Sequence, residues 1–170
     1  MDLNNLRDYI IELRAPFCIL LVGTPLSGKD TLINHLGISD VEVISRDSII
    51  LELCPGQDYN KAFNSVNQKE VDKILKNKID EISKNKKNVI INLTNLRSKR
   101  RKQFLSKFDS DYLKLAIVLP LLTKEELVCR NITRQSTEGK FIPLNVIDEM
   151  LTGYQMVQIE EGFNQIINYK

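Results

Sequence analysis

The sequence predicts an α/β fold in which a parallel sheet is covered by helices on both faces. Short apolar runs alternate with segments of helical periodicity along the chain, as in strand–helix–strand units. The run FCILLV at residues 17–22 is continuously apolar, as expected of a strand buried on both faces. A length of 170 residues with 42% hydrophobic residues suits one core, so we expect a single domain spanning residues 1–170.

The first half of the chain is predicted to supply three strands. Leu3, Leu6, Ile10 and Leu13 form one stripe of a short amphipathic helix, which predicts a helical extension at residues 1–16. This helix either packs on the core of its own chain or mediates a dimer, and the sequence does not fix the oligomeric state. The predicted strands are residues 17–22, 41–45 and 88–93; helices are predicted from the turn after the first strand to about residue 36 and over 71–82, with a loop at 55–65.

The second half is predicted to alternate in the same way. A basic helix is expected from about Ser98 to Phe108, followed by a strand at residues 112–120. Thr123 and Glu126 have the spacing of a capping box, so a helix is expected to start there and continue to about Arg134. Residues 135–140 are predicted to be mobile, and residues 164–170 to form a fifth strand.

Charge is unevenly distributed along the chain. The net charge is only +2, yet residues 84–107 contain nine Lys or Arg and no acidic residue. This asymmetry indicates either one electropositive region or the solvated face of a helix.

Several classes of protein are excluded by composition. The cysteines Cys18, Cys54 and Cys129 are far apart and odd in number, which excludes a disulfide framework or a zinc site. His35, the only histidine, is expected to be structural. Because the N-terminus is polar and no apolar run approaches the roughly 18 residues of a membrane span, we expect a cytoplasmic protein, or one in the host cytoplasm if viral, without a membrane partner.

A phosphate-binding loop is predicted between the first strand and its helix. The stretch GTPLSGKDT has the pattern Gly, four residues, Gly-Lys, and such a turn presents backbone N–H groups and a helix N-terminus to an anion. Asp30 stands where a Ser or Thr hydroxyl normally meets Mg²⁺, so it is either a metal ligand or a mark of lost activity. The predicted nucleotide-contacting residues are Gly23, Thr24, Pro25, Leu26, Ser27, Gly28, Lys29, Asp30 and Thr31.

Further motifs resemble a known family. ISRDS, NVIINLTNLRSKRR, LVCRNITRQ and FIPLNVIDEML, together with the loop, resemble the kinase domain of phage-type polynucleotide 5′-kinases and related small P-loop kinases, over about residues 17–165. The resemblance implies a P-loop kinase fold, with a five-stranded parallel sheet, helices on both faces and a helical lid at about residues 123–143.

The resemblance also implies catalytic roles. Lys29 matches the lysine that holds the donor phosphates, Asp47 the general base, and Arg130 and Arg134 the lid arginines that stabilise the transferring phosphoryl group. The alternatives are that Asp47 caps a helix starting at Ser48 and that the two arginines are merely solvated.

Three positions depart from the family. Asp30 replaces a Ser, Leu93 replaces an Asp before Thr94, and Ile50 replaces an acceptor-binding Arg. We interpret Asp30 as a metal ligand that compensates for the carboxylate missing at residue 93. A second, phosphatase motif is absent from the sequence, so no 3′-phosphatase activity is expected.

The predicted function is transfer of the γ-phosphate of ATP or another NTP, with Mg²⁺, to a hydroxyl acceptor. The favoured acceptor is the 5′-OH of DNA or RNA, and its predicted binding residues are Arg46, Thr94, Arg100 and Arg101. One alternative is a nucleoside or nucleotide kinase, since the missing arginine at Ile50 fits a smaller acceptor, or a modified-base kinase that acts on DNA. The other is a non-catalytic nucleotide- or nucleic-acid-binding module.

Overall fold

A sheet of five parallel strands runs through the structure, a computed structural model that describes residues 1–169. The strand order is β2-β3-β1-β4-β5, so β1 is central. The predicted five-stranded parallel sheet is confirmed, including its last strand. The strands are β1 (Phe17–Val22), β2 (Glu42–Ile44), β3 (Val89–Ile91), β4 (Leu113–Val118) and β5 (Gln165–Asn168).

Eight α-helices and one short 3₁₀ turn surround the sheet in the described part of the chain. None of these helices is both long and apolar enough to cross a lipid bilayer. The helices are α1 (Leu3–Ile11), α2 (Lys29–Leu36), α3 (Arg46–Leu53), α4 (Tyr59–Ser65), α5 (Gln68–Lys84), α6 (Ser98–Leu105), α7 (Lys124–Glu138) and α8 (Leu144–Thr152), with the 3₁₀ turn at Ile159–Glu161.

Alternating residues of β1 separate two apolar layers. Cys18 and Leu20 belong to a layer with α3, α5 and α6, whereas Ile19 and Leu21 belong to a layer with α1 and α2. Helices therefore cover both faces, as predicted, because side chains alternate across a strand.

Helix α1 packs on the core of its own chain. Leu6 and Ile10 are 0% and 1% exposed in the layer shared with α2. Burying a Leu or Ile side chain contributes roughly 1.5–3 kcal/mol, so both residues stabilise the packing of α1 on the sheet.

The predicted loop at residues 55–65 is wrong, because α4 occupies its second half. The Asp58 carboxylate caps α4 by accepting a hydrogen bond from the Lys61 backbone N–H at 3.0 Å. Ala62 is the helix's buried residue, so α4 lacks the apolar stripe that sequence periodicity detects.

Residues 135–140, which are predicted to be mobile, contain the end of α7. The capping box of Thr123 and Glu126 is confirmed, but α7 continues one turn beyond Arg134, to Glu138. It ends at Gly139, which takes a left-handed conformation with φ of 68° and thereby stops the helix.

Candidate active site

One large cleft opens at the carboxyl edge of the sheet. Its volume is about 1350 Å³, above the roughly 300–1,000 Å³ typical of small-molecule sites. Its walls come from the loop after β1, the start of α3, α4, the segment after β3, and α7 with the chain that follows it. The predicted strand-end residues Asp47 and Thr94 both line it, because parallel strands bring their carboxyl ends to one edge.

The loop after β1 has the geometry of a phosphate cradle. Gly28 has a φ of 92°, which favours glycine, and Leu26 is also left-handed, with a φ of 64°. A Cβ atom on Gly23 would lie 2.6 Å from the Ser27 Oγ and 3.2 Å from the Leu119 Cβ, so a larger residue there would displace the Ser27 side chain. The Gly23 N–H donates to the Thr94 carbonyl at 3.0 Å, which ties the loop to the segment after β3.

The predicted nucleotide-contacting residues divide into two groups. Gly23 and Thr24 are buried beneath the loop, and Ser27 is half-buried against Lys29. The others form the cleft surface: Pro25, Leu26, Gly28, Lys29, Asp30 and Thr31.

Lys29 folds back into the loop. Its Nζ donates to the carbonyl oxygens of Gly23 at 3.1 Å and Thr24 at 2.6 Å. Burial lowers the pKa of Lys29 to about 8, an effect that Arg134 reinforces and that Asp30 and Asp47 oppose. A phosphate entering the loop offers this ammonium charged acceptors, which make stronger hydrogen bonds than the neutral carbonyls.

Asp30 is exposed at the start of α2 and has a partner that sequence reasoning missed. Its Oδ1 accepts a hydrogen bond from the Asn92 Nδ2 at 2.6 Å, which links α2 to the chain just after β3. Leu93, the next residue, is half-buried and packs against the apolar layer of α5 and α6. Asn92 directly precedes the Leu-Thr-Asn stretch that resembles the family. This position in the sequence is the only signal that could have predicted its contact with Asp30.

The oxygen donors beside Lys29 suit Mg²⁺ that arrives with a nucleotide. Asp30 and Thr31 are both exposed at the cleft surface. Within residues 1–169, no three His, Cys, Asp or Glu side chains form a group that would hold a metal ion alone. Mg²⁺ is usually held by one or two carboxylates with substrate phosphates and waters, so this sparse donor set is compatible with it.

Asp47 lies half-buried in the first turn of α3. The cap of α3 is Ser45, whose Oγ accepts from the Ser48 N–H at 3.0 Å, so the alternative of Asp47 as the cap is wrong. The Asp47 Oδ1 instead accepts a hydrogen bond from the Tyr59 hydroxyl at 2.7 Å. The carboxylate therefore faces the cleft, where its charge reaches Lys29.

The two arginines of α7 both line the cleft. The Arg130 Nη1 donates to the carbonyl of Leu26, in the phosphate loop, at 2.9 Å. Arg134 is half-buried, donates to Glu138 at 3.1 Å and acts electrostatically on Lys29. Asn131, on the same helix, is buried and bonded to both the N–H and the carbonyl of Ile142, which fixes α7 against the chain that follows it.

The predicted acceptor-binding residues do not all reach the cleft. Arg46 and Arg100 line it and share one carboxylate: Arg46 is paired with Asp72, and the Arg100 Nη2 lies 3.7 Å from the same Asp72 oxygen. Arg101 is completely buried and paired with Glu161, so the prediction that it contacts the acceptor is wrong. Arg97, from the same basic stretch, does line the cleft.

The sheet order, the loop and the cleft together define a P-loop domain that binds a nucleoside triphosphate, with the fold of P-loop phosphotransferases. Residues 18–157 match the family described as the AAA domain, and the chain belongs to this family.

Solved structures with this fold include RNA-repair proteins and kinases. A chain in the Pnkp1/Rnl/Hen1 RNA repair complex matches with a TM-score of 0.67 at 25% identity, over 83% of this chain and 44% of that one. A chain of another Pnkp1/Rnl/Hen1 complex gives 0.54 at 24% identity, over 68% and 39%. A putative kinase from Chloroflexus aurantiacus gives 0.60 at 14% identity, over 92% and 85%.

These likenesses confirm the P-loop kinase fold and the family resemblance predicted from the sequence. The chain spans less than half the length of the RNA-repair chains that it matches. No curated protein matches the sequence.

Proposed function

We propose that this protein transfers the γ-phosphate of ATP, or of another nucleoside triphosphate, to the 5′-hydroxyl of a polynucleotide. The observation that supports this most directly is that Asp47 and Lys29 share one cleft and interact through their charges. Phosphoryl transfer needs a cationic cradle for the donor and a carboxylate for the attacking hydroxyl, side by side.

The donor side of the proposed site is the loop after β1. Its backbone N–H groups, the N-terminus of α2 and the Lys29 ammonium bind the outer phosphates. Arg130 and Arg134 bring positive charge to the transferring phosphoryl group from α7, so residues 123–143 serve as the lid of a single domain. Mg²⁺, held by Asp30 together with the nucleotide phosphates, would neutralise negative charge there.

Asp47 is the proposed general base. As the acceptor oxygen forms its bond to the γ-phosphorus, the bond between that phosphorus and the oxygen of the departing nucleoside diphosphate breaks. The hydroxyl proton passes to the Asp47 carboxylate. This role needs an ionised, cleft-facing carboxylate, and the contact with Tyr59 leaves one oxygen of Asp47 without a partner among residues 1–169.

A polynucleotide is favoured as the acceptor by three observations. Arg97 and Arg100 add positive charge to the wall on which Thr94 also lies, and phosphate backbones bind such surfaces. The likeness to a chain of an RNA repair complex points to the same class of substrate. The volume of about 1350 Å³ also leaves room for two ligands side by side.

The test is a transfer assay with γ-labelled ATP and Mg²⁺. Acceptors are supplied in parallel: 5′-OH DNA and RNA oligonucleotides, nucleosides and mononucleotides. Label on oligonucleotides is the expected result. Label on the small acceptors alone would indicate a nucleoside or nucleotide kinase, and ATP binding without any transfer would indicate a non-catalytic module.

The general base is tested by Asp47→Asn in the same assay. Turnover is expected to fall by roughly 10²–10⁴-fold, because general-base catalysis is lost while the donor cradle is intact. ATP affinity, measured by calorimetry, should stay near that of the wild type. Asp8→Asn, on α1 and outside the cleft, is the matched control. Near-normal turnover of Asp47→Asn would remove Asp47 from the mechanism.

A further inference from the structure

Helix α4, which the sequence pattern did not predict, brings an aromatic hydroxyl to Asp47. The Tyr59 hydroxyl donates to the Asp47 Oδ1 at 2.7 Å, across 12 residues of sequence. Tyr59 is half-buried and lines the cleft. This is the only side-chain hydrogen bond that Asp47 makes with residues 1–169.

We infer that Tyr59 is a positioning residue for Asp47, an inference that rests on the proposed function. A carboxylate on a single rotatable stem has several orientations in an open cleft. The bond from Tyr59 occupies Oδ1 and fixes the plane of the carboxylate, which leaves Oδ2 for the proton of the attacking hydroxyl. Among residues 1–169, the Tyr59 hydroxyl makes no hydrogen bond other than the one to Asp47.

The ring of Tyr59 has two neighbours, and the helix that carries it is tied down at its first turn, as a positioning residue requires. Its ring lies 5.9 Å from that of Phe63, one turn later on α4. The Lys140 ammonium lies 4.5 Å from the ring centroid on the cleft side of the lid. Asn60 donates its side-chain amide to the carbonyl of Gly139, so α4 is fastened to the end of α7.

The same contacts connect the proposed general base, Asp47, to the lid. Gly139 and Lys140 end the helix that carries Arg130 and Arg134, and they touch the two residues that begin α4. Any shift of the end of α7 would therefore act on Tyr59 and Asn60 by direct contact, and through Tyr59 on Asp47. The arginines that face the donor and the carboxylate that faces the acceptor are thus linked through one tyrosine.

Tyr59 remains a hydrogen-bond donor at physiological pH. Burial raises its pKa well above the usual range, and the charge of Asp47 with its hydrogen bond raises it further, while Arg134 and Arg46 oppose the rise. A neutral phenol beside a carboxylate donates its proton in the hydrogen bond without competing for the proton of the acceptor.

The deciding variant is Tyr59→Phe, which keeps the ring contacts with Phe63 and Lys140 and removes only the hydroxyl. We expect kcat to fall about 10- to 100-fold, the scale of a misplaced catalytic group, while KM for ATP and acceptor stays close to normal. Tyr9→Phe is the matched control, because it removes a hydroxyl that donates to Gln165 at 2.5 Å, outside the cleft.

Epistasis separates positioning from a general structural role. If Tyr59 acts through Asp47, then adding Tyr59→Phe to Asp47→Asn leaves the residual rate unchanged. A second fall of the same size in that background, or a normal kcat in the single variant, would overturn the inference.

A measurement that does not depend on enzyme activity distinguishes failure of this inference from failure of the proposed function. With ¹³C-labelled aspartate, the carboxyl signal of Asp47 is identified by its loss in Asp47→Asn. It is expected to move in Tyr59→Phe and to stay in place in Tyr9→Phe. An unmoved signal would contradict the contact itself, whereas a moved signal in a protein that transfers no phosphate would contradict only the proposed function.

Discussion

Arg101 and Glu161 form a buried, bidentate ion pair. The Arg101 Nε and Nη2 lie 2.6 and 2.5 Å from the two carboxylate oxygens, and the side chains are 0% and 3% exposed. Arg101 also donates to the carbonyls of Asn95 and Leu96, at 3.0 and 2.9 Å. The pair therefore fastens the segment after β3, which forms one cleft wall, to the 3₁₀ turn before β5.

Replacing Arg101 is expected to destabilise the protein. Arg101→Ala leaves a buried, uncompensated carboxylate, which typically costs 3–5 kcal/mol in the free energy of unfolding. Urea denaturation measures this loss, and the neighbouring Arg100→Ala, on the exposed side of α6, should change stability by less than about 1 kcal/mol. Equal effects of the two variants would contradict the structural role of Arg101.

Arg100 is expected to act on polynucleotide binding. If it contacts a phosphate, Arg100→Ala weakens oligonucleotide binding and lowers the slope of log K against log salt by about 0.7–0.9 unit. Lys102→Ala is the matched control, because Lys102 lies in a separate shallow groove with Gln155. Fluorescence anisotropy at several salt concentrations gives both slopes, and an unchanged slope in Arg100→Ala would make this residue a solvated charge only.

The lowered pKa of Lys29 predicts that nucleotide binding depends on pH. Its pKa in the folded protein is lowered to about 8, so the charged form is abundant below pH 8 and is lost as the pH rises through that value. Because the phosphates bind the charged form, ATP affinity should fall between about pH 7.5 and 9, with proton uptake on binding. Calorimetry in buffers of different ionisation enthalpy measures that uptake.

The control for this pH dependence is Lys29→Arg. A guanidinium stays protonated across this range, so the variant should bind ATP with weaker affinity but without the fall above pH 8. A wild-type affinity that does not change between pH 7.5 and 9 would show that Lys29 is fully charged in the empty site.

Asp30 and Leu93 are expected to be energetically coupled if Asp30 supplies the carboxylate missing at residue 93. Asp30→Ser should weaken Mg²⁺ use, and Leu93→Asp should bring a second carboxylate near the first. The double variant should recover much of the activity, with a coupling energy of about 0.5–3 kcal/mol from Mg²⁺ titrations of all four proteins.

Leu93 also packs against the core, so the melting temperature of each variant must be followed alongside its activity. Asn92→Ala tests the observed partner of Asp30 separately, because it removes the amide at 2.6 Å and leaves both carboxylate positions untouched. Purely additive effects of Asp30→Ser and Leu93→Asp would show that the two positions share no metal ion.

The parts of the fold with a strong apolar pattern were predictable. Residues 17–22 read as a buried strand because all six are apolar, and Leu6 and Ile10 read as the buried face of α1. Helix α4 was not predictable in this way, because its cap and one buried alanine carry no periodicity.

The site was predictable where a motif fixes a residue, and not where three-dimensional contacts decide. Arg100 and Arg101 are neighbours of the same type, yet successive helix residues point about 100° apart, so one is exposed and the other completely buried. Asn92 and Tyr59 belong to no predicted set, and only folding brings them to Asp30 and Asp47.

The central position of β1 has a consequence for how the protein is made. Its strand partners, Val89–Ile91 and Leu113–Val118, leave the ribosome long after Phe17–Val22. Until then, the most apolar segment of the chain has unsatisfied backbone groups along at least one side, the condition in which nascent chains associate wrongly. A fragment that ends before Leu113 would lack β4, so one side of β1 would stay unpaired. We therefore expect shortened products of this chain to bind chaperones and not to accumulate as folded protein.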